Sequence, residues 1–184
     1  MAKHTGNLIA LTAAATMLPF TLGSGFAQSA AGHAEASTQD MQFLGDLAQD
    51  SNFEIKTSKL ALQNSHSADV KRYATMVIHD HTMLEQKIKG ADRAAKRTAT
   101  PPSDMASNDQ STYDNLKGMK GDAFDQAYIK ELIKGNDHIQ QEEKSEASDS
   151  TLPPVKNLAI QSVSIDTKHA EAAKKLAQTH HVQS

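Results

Sequence analysis

Along four long stretches of this chain, apolar positions recur at alternating spacings of three and four, the period of a helix that buries one face. In the first, Leu44, Leu47, Ser51, Glu54, Ser58 and Ala61 fall in line, and Phe43, Ile55, Leu60 and Leu62 widen the apolar side. Thr38 and Asp40 are the expected N-caps of this helix, and Asn64-Ser65-His66-Ser67 the turn that follows it. The second stretch, 68–96, is the most regular, with Val70, Ala74, Val77, His81, Leu84, Ile88, Ala91 and Ala95 in one stripe. The third starts at Asp122 as its cap and carries Phe124, Tyr128, Leu132, Asn136, Ile139 and Glu143. Gly135 in its middle costs about 1 kcal/mol relative to alanine, so a close approach or a bend is expected there. Pro153-Pro154 opens the fourth, in the first turn where proline is tolerated, with Val155, Leu158, Ser162, Ile165, His169, Ala172 and Leu176 along its buried side.

The connections decide how these helices are arranged. The turns at Asn64–Ser67 and Ser148–Thr151 are short, which makes the helices they join antiparallel neighbours. Arg97 to Asn108, broken by Pro101-Pro102, cannot continue the second helix; a short helix over Asp109–Lys117, closed by Gly118 and Gly121, follows it. That connection is long enough to run the length of the helices, which come to about 40 Å at 1.5 Å per residue. No stretch alternates with period two, and aromatics make up only 4% of the chain. The expected fold is therefore all-α: a ferritin-like antiparallel four-helix bundle over residues 38–180, with its long connection between helices two and three.

Composition changes the picture at the N-terminus. Lys3, an apolar run from Leu8 to Leu22, and Gly25-Phe26-Ala27 have the form of an export signal cleaved after Ala27. Residues 28–37, rich in Ala, Ser and Gly, read as a flexible leader. The apolar run, interrupted by Pro19, falls short of the ~20 residues of a permanent membrane anchor, so the expectation is a protein of the periplasm or secreted, without a transmembrane anchor after cleavage. The net charge is −3, or −4 without Lys3, which argues against a nucleic-acid partner. With no cysteine, disulfides, thiolate metal sites and thiol catalysis are all excluded.

The candidate chemistry lies where polar residues interrupt the apolar stripes. Met76 to Leu84 contains His79-Asp80-His81, yet residues two apart face opposite sides of a helix, so only His81 belongs to the core line. Glu54 and His169 interrupt their own stripes in the same way, and each is costly to bury without a partner. Glu54, His81 and His169 all fall near mid-helix, a placement that permits a metal site with Asn136 and Asp80 as supporting residues. A carboxylate and two imidazoles suit Fe, Mn, Zn or Cu(II). A di-iron bundle site would want Glu-x-x-His on two helices, and Asp166-x-x-His169 is only a shortened half of that. The structural alternative is a buried clasp between Glu54 and His81, with His169 hydrogen-bonded to Asn136 or Tyr128.

Other residues offer less. Glu142-Glu143-Lys144 and Glu146 read as an exposed charged face. His180-His181 sit at a terminus, and Met76, Met83, Met105 and Met119 are too scattered for a copper site. The Gly-x-Ser-x-Gly, His-Glu-x-x-His and phosphate-loop patterns are absent, so the common hydrolase, zinc-protease and nucleotide-binding classes have no support.

Four pieces together carry a family resemblance: Glu54 followed by Leu60-Ala61-Leu62-Gln63; Tyr73-Ala74-x-Met76-Val77-x-x-Asp80-His81; Gly121-x-x-Phe124-Asp125-x-x-Tyr128; and His169. The chain resembles a family of exported bacterial proteins catalogued as a domain of unknown function, often labelled as outer-membrane proteins and grouped with ferritin-like bundles. The resemblance implies fold and compartment; it brings no reaction. Where that family has a histidine twelve residues after the phenylalanine, this chain has Asn136, with His138 two residues on. Two functions follow as expectations: a non-enzymatic envelope or stress-related binding or structural protein, or a metal-binding protein used for storage, sensing or redox protection.

Overall fold

A computed structural model describes residues 35–97, 105–135 and 137–182. The expected export signal and most of the expected leader lie outside these residues, as does Asn136. The described chain is all-α, with six helices: α1 Thr38–Asn64, α2 Ala68–Ala94, α3 Ser107–Lys117, α4 Gly121–Lys134, α5 Asp137–Asp149 and α6 Pro153–Thr179. None of them is long and apolar enough to cross a membrane.

The helix starts differ from expectation in detail. Ser37, rather than Thr38 or Asp40, caps α1: its hydroxyl accepts from the Asp40 amide while the Asp40 carboxylate accepts from the Ser37 amide, a reciprocal capping box. Ser67 caps α2 by accepting from the Val70 amide. Helix α4 begins at Gly121, where φ is +56°, so Asp122 stands in its first turn and not at the cap. The proline pair occupies the first turn of α6.

The single third helix expected from the stripe is two helices. At Gly135 the backbone turns to φ +63° and ψ −179°, a conformation open in practice only to glycine, and α4 ends there. Helix α5 restarts two residues later. The segment read as an exposed face is not one: Glu143 and Glu146 are buried, at 0% and 1% exposure.

Helix α1 packs on α2, α2 on α6, and α6 on both α4 and α5, which close back onto α1. Two apolar clusters fill the interior. One gathers Leu60, Val70, Tyr73, Val77, Phe124, Tyr128 and Leu176. The other gathers Phe43, Leu47, Leu84, Ile88, Ile139, Val155 and Leu158. The long connection carries the chain from the second cluster, where Ala91 and Ala95 lie, to the first at Phe124, with α3 against α1. Between the two clusters every long helix changes character. Helix α1 offers Ser51, Glu54 and Ser58, α2 offers His81, and α6 offers Ser162, Asp166 and His169. This polar layer divides the core.

Candidate functional site

The layer is assembled from mid-helix positions, where backbone hydrogen bonds are satisfied within the helices and only side chains face the interior. His81 on α2 and His169 on α6 are buried, and their rings lie 5.3 Å apart between centroids. Asp166, one turn before His169, joins them: a ligand atom from each of the three lies within 4.8 Å of the others. They line a cavity of about 40 Å³ with Glu54, Asp50 and Tyr73, closed on one side by Gly135, Ile139 and Gln140. That volume holds an ion or a few waters. Among the described residues, no lysine or arginine lines it. The break at Gly135 thus forms part of the cavity wall, which links the helix interruption to the site.

Each imidazole is oriented by a neighbour. The Nδ1 of His81 is hydrogen-bonded to Ser51 Oγ at 3.2 Å. The Nε2 of His169 lies 3.1 Å from Asp80 Oδ2, which also receives a hydrogen bond from Lys168 at 2.9 Å. Burial would raise the Asp80 carboxyl, but those two bonds hold it below its ordinary value, so it is ionised and can only accept. His169 therefore donates through Nε2 and keeps its Nδ1 lone pair free. Tyr73 packs edge-on against the His169 ring, with centroids 6.2 Å apart.

Burial sets the charge state of the layer. It drives His81 down to about 3, helped by the nearby His169, and lowers His169 as well, so both imidazoles are neutral at pH 7. The acids move the other way. Burial, then the charges of Asp50, Asp166 and Asp109, push Glu54 well above its ordinary value. Burial raises Asp166 to about 6. Glu143 is raised to about 9 by burial and by Asp166. The buried Oε2 of Glu54 has no hydrogen-bond partner; neither oxygen of Glu143 has one in regular geometry, although Ser162 and Asp166 are close enough to influence its proton. Acids gathered in this way, in a cavity that no described lysine or arginine lines, either hold protons or hold a metal.

The structure brings Glu54, His81 and His169 to one cavity and sets Asp80 behind His169. The expected clasp between Glu54 and His81 is not formed: the His81 partner is Ser51. Nor does His169 bond to Tyr128, whose hydroxyl instead pairs with Ser58 at 2.8 Å. Sequence reasoning undervalued Asp166, which stood in view as a half-motif one turn before His169. It also passed over Glu143, although that residue continued the apolar stripe of its helix. Asp50 carried no signal at all, because it lies beside the α1 stripe.

The family model described as Domain of unknown function (DUF4142) matches residues 25–182, nearly all of the chain, and the chain belongs to that family. No curated protein and no solved structure matches it.

Proposed function

We propose that this member of the DUF4142 family is an exported, non-enzymatic metal-binding protein. In this reading it holds a first-row divalent ion through His81, His169 and Asp166, with Glu54 as a fourth ligand. The observation that carries the reading is the convergence of two neutral imidazoles and two carboxyls on a small cavity that no described lysine or arginine lines. Buried acids are expensive unless a positive charge compensates them, and a divalent ion is the compensation that fits a space of this size. A polar layer serving only to fix helix register would pair its acids with hydrogen-bond donors, and the Glu54 Oε2 has none.

The donor set is imidazole and carboxylate, which suits Fe(II), Mn(II), Zn(II) or Cu(II) and disfavours Cu(I). With Nε2–H of His169 donating to Asp80, and Nδ1 of His81 engaged by Ser51, the ring atoms left for a metal are Nδ1 of His169 and Nε2 of His81. An acid behind a metal-binding histidine fixes its tautomer and raises its basicity. The cavity is far smaller than the ~300 Å³ of ordinary small-molecule sites, which supports holding or buffering a metal over acting on an organic substrate. Counting the broken α4 and α5 as one element leaves four long helical elements with α1, α2 and α6, a number that supports the ferritin-like reading. The signal-like segment ending at Ala27 supports a place in the cell envelope.

Protein purified without a histidine tag, loaded mildly with Zn(II), Mn(II) or Fe(II) and desalted, is the direct test by elemental analysis. About one ion per chain is expected, lost in His81→Ala and His169→Ala; less than ~0.1 ion per chain would overturn the reading, because a preformed site binds without refolding.

A further inference from the structure

A second group of metal-ligating side chains stands outside the layer. Asp46 on α1 and His138 and Glu142 on α5 bring one ligand atom each to within 4.8 Å of one another. His138 and Glu142 are one helical turn apart, with Nδ1 and Oε1 separated by 3.7 Å. Glu142 faces the Asp46 carboxyl closely enough for the pair to share a proton, and receives a hydrogen bond from Gln42. Two carboxyls and an imidazole thus converge at the surface.

What gives this group meaning is where it leads. Asp46 and His138 line a cavity of about 340 Å³ whose inner wall is Asp50 and Ile139, and those two residues also line the interior cavity. A neighbouring cavity of about 320 Å³ reaches the interior site through Asp50, Glu54 and Gly135 and shares Asn108 and Asp109 with the first. The cavity beside the surface group and the buried site thus share lining residues, Asp50 and Ile139, and Asp109 adds a further acid beside them. Among the described residues, the one lysine lining these cavities is Lys134, which is paired with Glu131 at 3.6 Å.

We propose that Asp46, His138 and Glu142 form an outer cation site that captures a divalent ion and passes it inward along Asp50 to the interior ligands. The inward transfer rests on the metal reading of the interior site; capture at the surface does not. Acid-lined clefts with low-dielectric walls concentrate cations and raise their rate of arrival. A site of three ligands, open to water on one side, leaves a coordination position accessible to an incoming ligand.

The two sites are separable by histidine ring resonances in nuclear magnetic resonance during titration of the metal-free protein with Zn(II). The His138 signals are expected to shift in the wild type and equally in the His81→Ala/His169→Ala double variant. In Asp46→Asn/Glu142→Gln they should not shift, while the His81 and His169 signals still respond, with loading slowed at least about tenfold at low salt. Immobile His138 signals in the wild type, or His138 shifts that disappear with the interior histidines, would overturn the outer site. Unchanged interior loading in Asp46→Asn/Glu142→Gln would overturn the transfer. If His138 responds and His81 and His169 never do, the interior reading fails and the transfer with it, while surface capture stands.

Discussion

Asp80 and His169 are joined across the α2–α6 interface by a 3.1 Å contact between Oδ2 and Nε2, and this contact fixes which nitrogen of a buried imidazole faces the cavity. Asp80 is adjacent to His81 in sequence but serves the histidine of another helix. In Asp80→Asn the amide can present either an oxygen or an NH₂ group to the ring, so the tautomer is no longer imposed. Metal affinity is expected to fall about 10- to 100-fold, the usual loss when the partner behind a metal-bound histidine is removed, with the fold intact by circular dichroism. Competition with a chelator of known affinity measures it, and an unchanged Kd would remove Asp80 from the site.

Glu54→Gln separates binding from stability. It removes a buried acid whose Oε2 has no partner, so the metal-free protein should become more stable by on the order of 1 kcal/mol, a rise of about 3 °C in Tm for a chain of this size. The rise in Tm produced by added Zn(II) should shrink in the same variant. A variant less stable without metal would show that Glu54 is held by a structural partner instead.

The pH dependence of the metal-free protein follows from acids whose folded values exceed their unfolded ones. Asp166 at about 6 and Glu143 at about 9 both hold protons in the folded state that the unfolded chain has released. Their contribution is present below the unfolded carboxyl range and is lost as pH rises toward those folded values. His81 and His169, lowered by burial, add stability as pH rises through the unfolded histidine value of about 6.5, so the net loss is expected above it: between pH 7 and pH 8 the metal-free protein should lose on the order of 1 kcal/mol by urea titration. Bound metal should reverse the trend, since it displaces the same protons, and its affinity should rise over that interval. A metal-free protein that grows more stable from pH 7 to pH 8 would contradict the assignment of protonated acids.

Gly135→Ala tests the break. A Cβ there would meet Gln140 Nε2 at 3.4 Å, a contact the long side chain can relieve, but φ of +63° with ψ of −179° excludes alanine sterically. A loss of about 1–3 kcal/mol is expected, with weaker metal retention because Gly135 lines the cavity. Unchanged stability together with increased helicity would mean that α4 and α5 can fuse without cost.

Much of the architecture was legible in the chain. The stripes of α1, α2 and α6 are continuous over many turns, and a 3.6-residue period sustained that long has one physical meaning. Glu54, His81 and His169 stood out because each breaks an apolar line and must find compensation inside. The third stripe misled because Phe124 and Tyr128 on one side of Gly135, and Ile139 and Glu143 on the other, keep a helical spacing that a glycine costing about 1 kcal/mol does not erase.

The sequence by itself determined the all-α class, the polar interruption at mid-helix and the absence of thiol chemistry, since periodicity and residue type are local properties of the chain. Only the tertiary structure decided the partners. Ser51 takes the position at His81 that Glu54 was expected to hold, Asp80 reaches His169, Asp166 completes the cluster, and Glu143 turns inward. These pairings depend on the relative rotation of packed helices. A rotation of one residue, about 100° on a helix, exchanges a ligand for a bystander, and no single stripe records it.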